Sequence, residues 1–195
     1  MTPFDHLPLK TPRLLLRPLA PADAESLFAI FSDPAVMRYW STPPWTSIDR
    51  AHQMIANDHT SLPAGEHLRL GLEIRDTTQL IGTCTFYDFN AQCRRAEIGY
   101  AMGSAFWGHG YMHEALTALL EYGFRELDLN RVEADIDPRN LASAKCLERL
   151  GFQYEGLLRE RWIVDGEISD TGFYGLLRRE WKAQLRQPPP GSASP

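Results

Sequence analysis

The sequence has few cysteines. Cys84, Cys93 and Cys146 are three, an odd number without C-x-x-C spacing. That sets aside a disulfide framework and points to a reducing compartment. Long apolar runs are missing too: no stretch approaches the roughly 20 residues of a membrane-spanning helix. The opening residues MTPFDHLPLK lack the basic and apolar regions of a secretory signal. A cytoplasmic location with no membrane partner is the expectation. Basic residues are the minority charge: 20 Lys and Arg stand against 25 Asp and Glu, a net charge of -5. That balance disfavours a nucleic-acid partner and weakly suits cationic or amine-bearing small substrates.

What remains is a chain of 195 residues, 44% apolar and 23% charged, as for a soluble globular protein large enough to bury a core without staples. Residues 1–186 are expected to form a single domain, and the proline- and serine-rich QPPPGSASP of residues 187–195 a disordered tail. Strands are predicted over 13–19, 67–74, 80–89, 94–102, 131–136, 153–164 and 168–177, and Asp165-Gly166 between the last two is a hairpin signal. Helices are predicted over 22–33, 47–61, 111–127 and from Asn140 or Leu141 to near Leu150, with Gly151 as the stop. SDPAVMRYW carries turn chemistry and then a short helix. The order gives a mixed α/β sheet, not a strict alternation.

The most informative stretch is FWGHGYMHEAL, residues 106–116. A strand ends near Met102; Gly103, Gly108 and Gly110 follow, and then a helix begins. Glycines let backbone approach an anion, and a helix start offers unpaired N–H groups and the positive end of the dipole. The spacing is neither G-x-x-x-x-G-K-[ST] nor G-x-G-x-x-G, so it makes no case for a nucleotide triphosphatase or a dinucleotide fold. His109 and His113 are four apart but are not HEXXH, and no third ligand stands nearby; no metal is expected. A tight turn without a ligand would use the same glycines.

Four ordered blocks carry a resemblance. TPRLLLRPL (11–19), SDPAVMRYW, EIGYAMGSAFWGHGYMHEALTALLEYGF and RVEADIDPRNLASAKCLERLGFQYEGLLRE together resemble the GCN5-related N-acetyltransferase (GNAT) superfamily, in its RimJ/RimL-like branch of ribosomal-protein N-terminal acetyltransferases. The similarity spans residues 11–178. It implies the GNAT fold, a mixed, mostly antiparallel central sheet of about seven strands with flanking helices. It also implies acetyl-CoA as co-substrate. The family's phosphate loop, R/Q-x-x-G-x-G/A, matches Trp107 to Met112: Gly110 fits the middle glycine, whereas Trp107 and Met112 depart. The resemblance thus assigns CoA binding to Trp107, Gly108, His109, Gly110, Tyr111, Met112 and His113, and to the strand around Tyr100, Ala101 and Met102, whose backbone also serves the oxyanion.

Acyl transfer to an amine needs a base for the ammonium proton, a stabilised oxyanion and a protonated leaving thiolate. Glu97, on the less apolar face of the strand leading into the glycine corner, is the first base candidate, directly or through water. Glu160 in LLRERW is the second. Each could instead pair with a neighbouring arginine. Asn140 is read either as a helix cap or, by resemblance, as a contact to the pantetheine arm; by the same resemblance Ser143 reaches the sulfur. Many relatives carry a tyrosine acid where this chain has Leu147, which leaves Ser143 or water for that role. Cys146 reads as core and not as a nucleophile. Tyr39, Trp40, Trp45, Trp162 and Tyr174 are candidate walls of an acceptor pocket, with core packing as the plainer role of such aromatics.

The expected function is direct acetyl transfer from acetyl-CoA to a primary amine, on a protein N-terminus or a small molecule. A non-catalytic acyl-CoA-binding sensor or subunit is the alternative, and a nucleotide-binding protein a third. Similar proteins dimerise, so a homodimer is a further expectation, although the sequence identifies no surface patch for it.

Overall fold

The computed structural model describes residues 4–184; the tail expected over 187–195 lies outside them. The chain forms β1 (Leu9–Lys10), β2 (Leu14–Arg17), α1 (Ala24–Phe31), α2 (Pro34–Met37), α3 (Asp49–Ala64), β3 (Leu68–Ile74), β4 (Leu80–Asn90) and β5 (Arg95–Met102). It continues with α4 (Tyr111–Arg125), β6 (Arg131–Ile136), α5 (Leu141–Arg149), β7 (Gln153–Val164), β8 (Glu167–Leu177) and α6 (Arg178–Gln184). Among the described residues no helix is long and apolar enough to cross a membrane.

The strands make one sheet of eight, in the order β1-β2-β3-β4-β5-β6-β8-β7. The count exceeds the expected seven because Leu9 and Lys10 pair with Leu16 and Leu15; two residues carry no readable period. All neighbours are antiparallel except β5 and β6. The β7–β8 turn takes positive φ at both Asp165 (49°) and Gly166 (81°), the type I′ geometry whose twist matches the flanking strands.

One face of the sheet carries the larger core. Ile98, Met102, Phe86 and Val132 meet Leu116, Leu119 and Leu120 of α4 and Leu147 of α5 there. Those four leucines are fully buried, each worth about 1.5–3 kcal/mol as an upper figure. That burial fixes α4, and with it the glycine corner at its start. The other face is covered by α1, α2 and α3, through Leu27, Phe31, Met37 and Ile55 against Leu19, Leu80 and Ala101.

The parallel pair is short. β5 and β6 are in register at Arg95–Arg131, Ala96–Val132 and Glu97–Glu133. Beyond Glu97 both strands continue, to Met102 and Ile136, without pairing each other. At the closed end, Glu133 accepts from Arg95 at 2.5 Å and from Arg131 at 2.6 Å, and Arg131 also grips Glu155. The sheet is therefore riveted on one side of Glu97 and parted on the other.

Candidate active site

The gap between β5 and β6 opens into a cleft of about 1360 Å³. A site for one small ligand holds roughly 300–1,000 Å³, so this space admits two substrates together. It reaches both faces of the sheet. Tyr100, Met102, Met112, His113, Ser143 and Cys146 line it on the side of α4 and α5, and Thr83, Thr85, Tyr87, Gly99, Ala101 and Asp135 on the other.

The glycine corner stands at the first side. Gly108 and Gly110 both take φ of +77°, a left-handed conformation that glycine adopts without a Cβ clash. Gly110 is the N-cap of α4 and supplies no side-chain cap. The first bond of the helix runs from the Glu114 N–H to the Gly110 carbonyl at 3.1 Å, so the amides just before Glu114 have no acceptor within the helix. Arg13 braces the corner from outside: its Nε donates to Glu114 at 2.6 Å and its Nη1 to the His109 carbonyl at 2.8 Å. The Trp107 indole donates to the Met102 carbonyl at 2.7 Å, tying the corner to the end of β5. Gly108, Gly110, Met112 and His113 line the cleft. The side chains of His109 and Tyr111 turn elsewhere: the His109 Nδ1 lies 2.8 Å from the Trp107 carbonyl, and the Tyr111 ring sits under Arg13.

Asn140 caps α5, its Oδ1 accepting from the Ser143 N–H at 3.1 Å. Asn140 and Ser143 both face the cleft, and the Tyr100 hydroxyl reaches the Ser143 carbonyl at 3.5 Å. Cys146 is half-buried, and burial pushes its thiol up to about 11.

The second side is acidic. Glu97 is half-buried; Tyr87 opposes it on β4 and Glu133 on β6. Burial raises its pKa, the Asp135 carboxylate raises it further, and a hydrogen bond from Tyr87 opposes the rise. Glu97 is not itself on the cleft wall, but Tyr87 and Asp135 are. The Trp162 indole donates to Asp135 at 3.2 Å. Arg139 gathers the rim: it grips Asp137, reaches Glu167 at the hairpin tip at 2.6 Å and lies 5.7 Å from the Tyr39 ring centre.

Of the expected acceptor walls, Tyr39, Trp40 and Trp162 line the cleft. Trp45 instead stacks on Phe31 at 4.6 Å within the core under α1. Tyr174 is 7% exposed and packs edge-on against Tyr154. Glu160 also stands outside the cleft: it sits in a bulge of the edge strand with φ of 52°, and its amide donates to Asp170 at 2.8 Å. Among the described residues, no group of three or more His, Cys, Asp or Glu is placed to hold a metal ion. Sequence reasoning passed over Tyr87, Asp135 and Asp137. The signal was present for two of them, because Glu133, Asp135 and Asp137 recur at every second position of RVEADID, and a period of two puts them on one face of a strand.

The glycine corner at the start of α4, the parted sheet and the acidic group across the gap meet in one cleft. Comparison with known proteins gives the family. Residues 13–153 match the model of the acetyltransferase (GNAT) domain. The chain is 39% identical over 173 residues to the uncharacterized N-acetyltransferase p20 of Bacillus licheniformis, covering 89% of this chain and 97% of that one. It is 31% identical over 118 residues to the ribosomal protein uS5 alanine N-acetyltransferase of Escherichia coli, covering 60% and 61%. A GNAT-family acetyltransferase structure from Bacillus anthracis superposes with a TM-score of 0.79 at 25% identity, covering 89% of this chain and all of that one. The chain belongs to the GNAT family and is an acetyl-CoA-dependent N-acetyltransferase.

Proposed function

We propose that the chain transfers acetyl directly from acetyl-CoA to a primary amine, on a small molecule or a protein N-terminus, without an acyl-enzyme. The observation that carries this is the single cleft passing between β5 and β6, with the glycine corner on one side and the Glu97–Tyr87–Asp135 group on the other. Acetyl-CoA supplies an activated thioester. The amides from Gly108 to His113 hold its pyrophosphate, and the unpaired edge of β5 from Tyr100 to Met102 holds its pantetheine arm and offers N–H groups to the developing oxyanion. Asn140 contacts the same arm, and the Ser143 hydroxyl or a water hydrogen-bonds the departing sulfur, which takes up the proton that the amine releases by way of solvent.

On the far side, Asp135 attracts the acceptor ammonium and Glu97 takes its proton, through water or the Tyr87 hydroxyl. A raised carboxylate pKa brings a base closer to the working pH and so strengthens it. Cys146 is unsuited to covalent catalysis, because a thiol whose pKa is pushed up stays protonated. The uS5 relative acts on a protein alanine, which makes a protein N-terminus one of the two acceptor classes.

A thermal-shift titration with acetyl-CoA, CoA, ATP and NAD tests the donor half. Ligand at about 100 times its Kd adds roughly 2.7 kcal/mol, or about 5–11 °C for a chain of this size. A shift with acetyl-CoA and CoA alone supports the reading, and thiol release with an amine panel completes it. No shift at millimolar acetyl-CoA refutes it.

A further inference from the structure

The acceptor side of the cleft has a second chemical pole. His67, just before β3, and Arg69, on it, line the cleft beside Thr85 and Tyr87. Arg69 is fixed from behind: its Nη1 donates at 2.7 Å to Asp58 of α3, a carboxylate only 6% exposed and away from the cleft wall. That is the one hydrogen bond the Arg69 side chain makes among the described residues, and a guanidinium carries five N–H donors. The His67 Nε2 and the Asp58 Oδ2 are both buried without a hydrogen-bond partner, and the Nε2 lies 3.8 Å from the Asp58 Oδ1, toward α3. A guanidinium on the cleft wall with N–H donors to spare suits a guest that brings oxygen atoms. Burial and the Arg69 charge lower the His67 pKa to about 4. The ring is therefore neutral, and the charges of this cluster are Arg69, on the cleft wall, and Asp58, paired to it from behind.

The spacing is set by the sheet. Arg69 pairs with Thr85 and Thr85 with Gly99, so β3 and β5 lie two strand spacings apart, roughly 10 Å. Glu97 stands two residues along β5 from Gly99, and Asp135 lies beyond it on β6. The chamber runs from the Arg69 guanidinium, its charge shared with Asp58, to the carboxylates of Glu97 and Asp135. A plain alkylamine or a polyamine answers the second pole alone. A zwitterion answers both.

We propose that Arg69, with His67 packed beside it, forms a carboxylate-binding subsite, and that the acceptor is a small amine carrying its own carboxylate. The Arg69 fork takes the carboxylate, in the planar geometry guanidinium offers such groups, while the amine points toward Glu97. This rests on the acetyl-transfer reading above.

The test is kcat/KM with acetyl-CoA for amino acids of increasing amine-to-carboxylate separation, each against its own carboxamide, with phosphoethanolamine and a neutral alanyl peptide as further arms. The wild-type enzyme is expected to favour its best carboxylate over the matching carboxamide by about tenfold or more. R69Q is expected to bring that ratio close to unity. H67Q, which leaves the Asp58–Arg69 pair in place should R69Q fail to fold, is expected to lower it severalfold. Equal kcat/KM for carboxylate and carboxamide in the wild type overturns the subsite. So does a ratio unchanged in H67Q and in folded R69Q, or a preference for the peptide or the phosphoryl amine. Acetylation of carboxamides without preference overturns the subsite alone, whereas thiol release with no amine at all overturns the acetyl-transfer reading with it.

Discussion

Gly110 offers a way to separate backbone strain from anion binding. It caps α4 at φ +77° and ψ 5°. A Cβ built there meets the Arg13 Nη2 at 3.5 Å, which is ordinary contact, so Gly110→Ala suffers from conformation and not from a clash. Left-handed backbone costs a residue with a Cβ roughly 1–2 kcal/mol. At 2–4 °C per kcal/mol for a chain of this size, Tm should fall by about 2–8 °C. Gly110→Glu carries the same strain and adds a carboxylate where the donor's pyrophosphate is proposed to sit. Two charges about 4 Å apart repel by roughly 1 kcal/mol in water and about 4 kcal/mol at a protein surface. That corresponds to roughly a fivefold to several-hundredfold loss of affinity. Arg13 pulls the figure toward the lower end, because its Nη2 faces the new side chain, although its Nε and Nη1 are already engaged by Glu114 and His109. The assay is calorimetric titration of acetyl-CoA into the wild type and both variants. The two variants should melt alike and differ in Kd. Equal Kd in Gly110→Ala and Gly110→Glu would refute the anion site.

Three other outcomes follow from the geometry. Glu97→Gln should lower kcat by about a hundredfold or more with acetyl-CoA affinity little changed; turnover equal to wild type across pH 6 to 9 would remove Glu97 as the base. Its folded pKa is raised above the ordinary carboxylate value by burial and by Asp135, so ionised Glu97 costs stability, a cost that sets in as pH rises through the folded pKa and vanishes below the unfolded one. The glutamine variant should therefore melt no lower than wild type at pH 7, which differential scanning calorimetry reads. Asp135→Asn removes one cause of the raised pKa, so the acid limb of kcat/KM should move to lower pH while KM for a cationic amine rises; an unmoved limb would separate the two carboxylates. Gly123→Ala sits in the middle of α4, where helix propensity alone favours alanine by about 1 kcal/mol. A Cβ there meets the Phe86 ring at 2.7 Å, and overpacking of roughly 1–3 kcal/mol should win, so a raised Tm would contradict the packing.

The elements readable from sequence were those with a period or a punctuation mark. RVEADI was bounded correctly at Arg131 and Ile136 because Val132 and Ala134 alternate with polar residues, and α4 followed from its leucines. Pairs such as Leu9–Lys10 and the short α6 have neither mark; they form because a neighbouring strand or helix accepts them. The glycine corner was legible because left-handed backbone at Gly108 and Gly110 is a local demand. The parting of β5 from β6 was not, since it depends on how two distant strands diverge after three residues in register. Glu97 was found from alternation within one strand. Its neighbour Tyr87 came only with the sheet order, which puts residues 87, 97 and 133 side by side and Asp135 two positions further along β6. Trp45 and Tyr174 show the reverse limit: an aromatic near a pocket in sequence settles into the core when a ring such as Phe31 or Tyr154 is closer than the cleft.

The parted sheet also makes this molecule two plates joined along one edge. β1 to β5 form one and β6 to β8 the other, clamped where Arg95, Glu133, Arg131 and Glu155 interlock. Along the free lips, the alternate backbone amides that face the gap have no ladder partner across it and exchange with solvent through small local openings. A donor arm lying along those lips would act as a gasket. Its arrival should be seen in hydrogen exchange as protection of the gap-facing amides within residues 98–102 and 134–136, and the clamp residues, already locked, should change least. In that picture the enzyme leaves the middle of its own sheet unfinished, and the substrate completes it for the duration of one turnover.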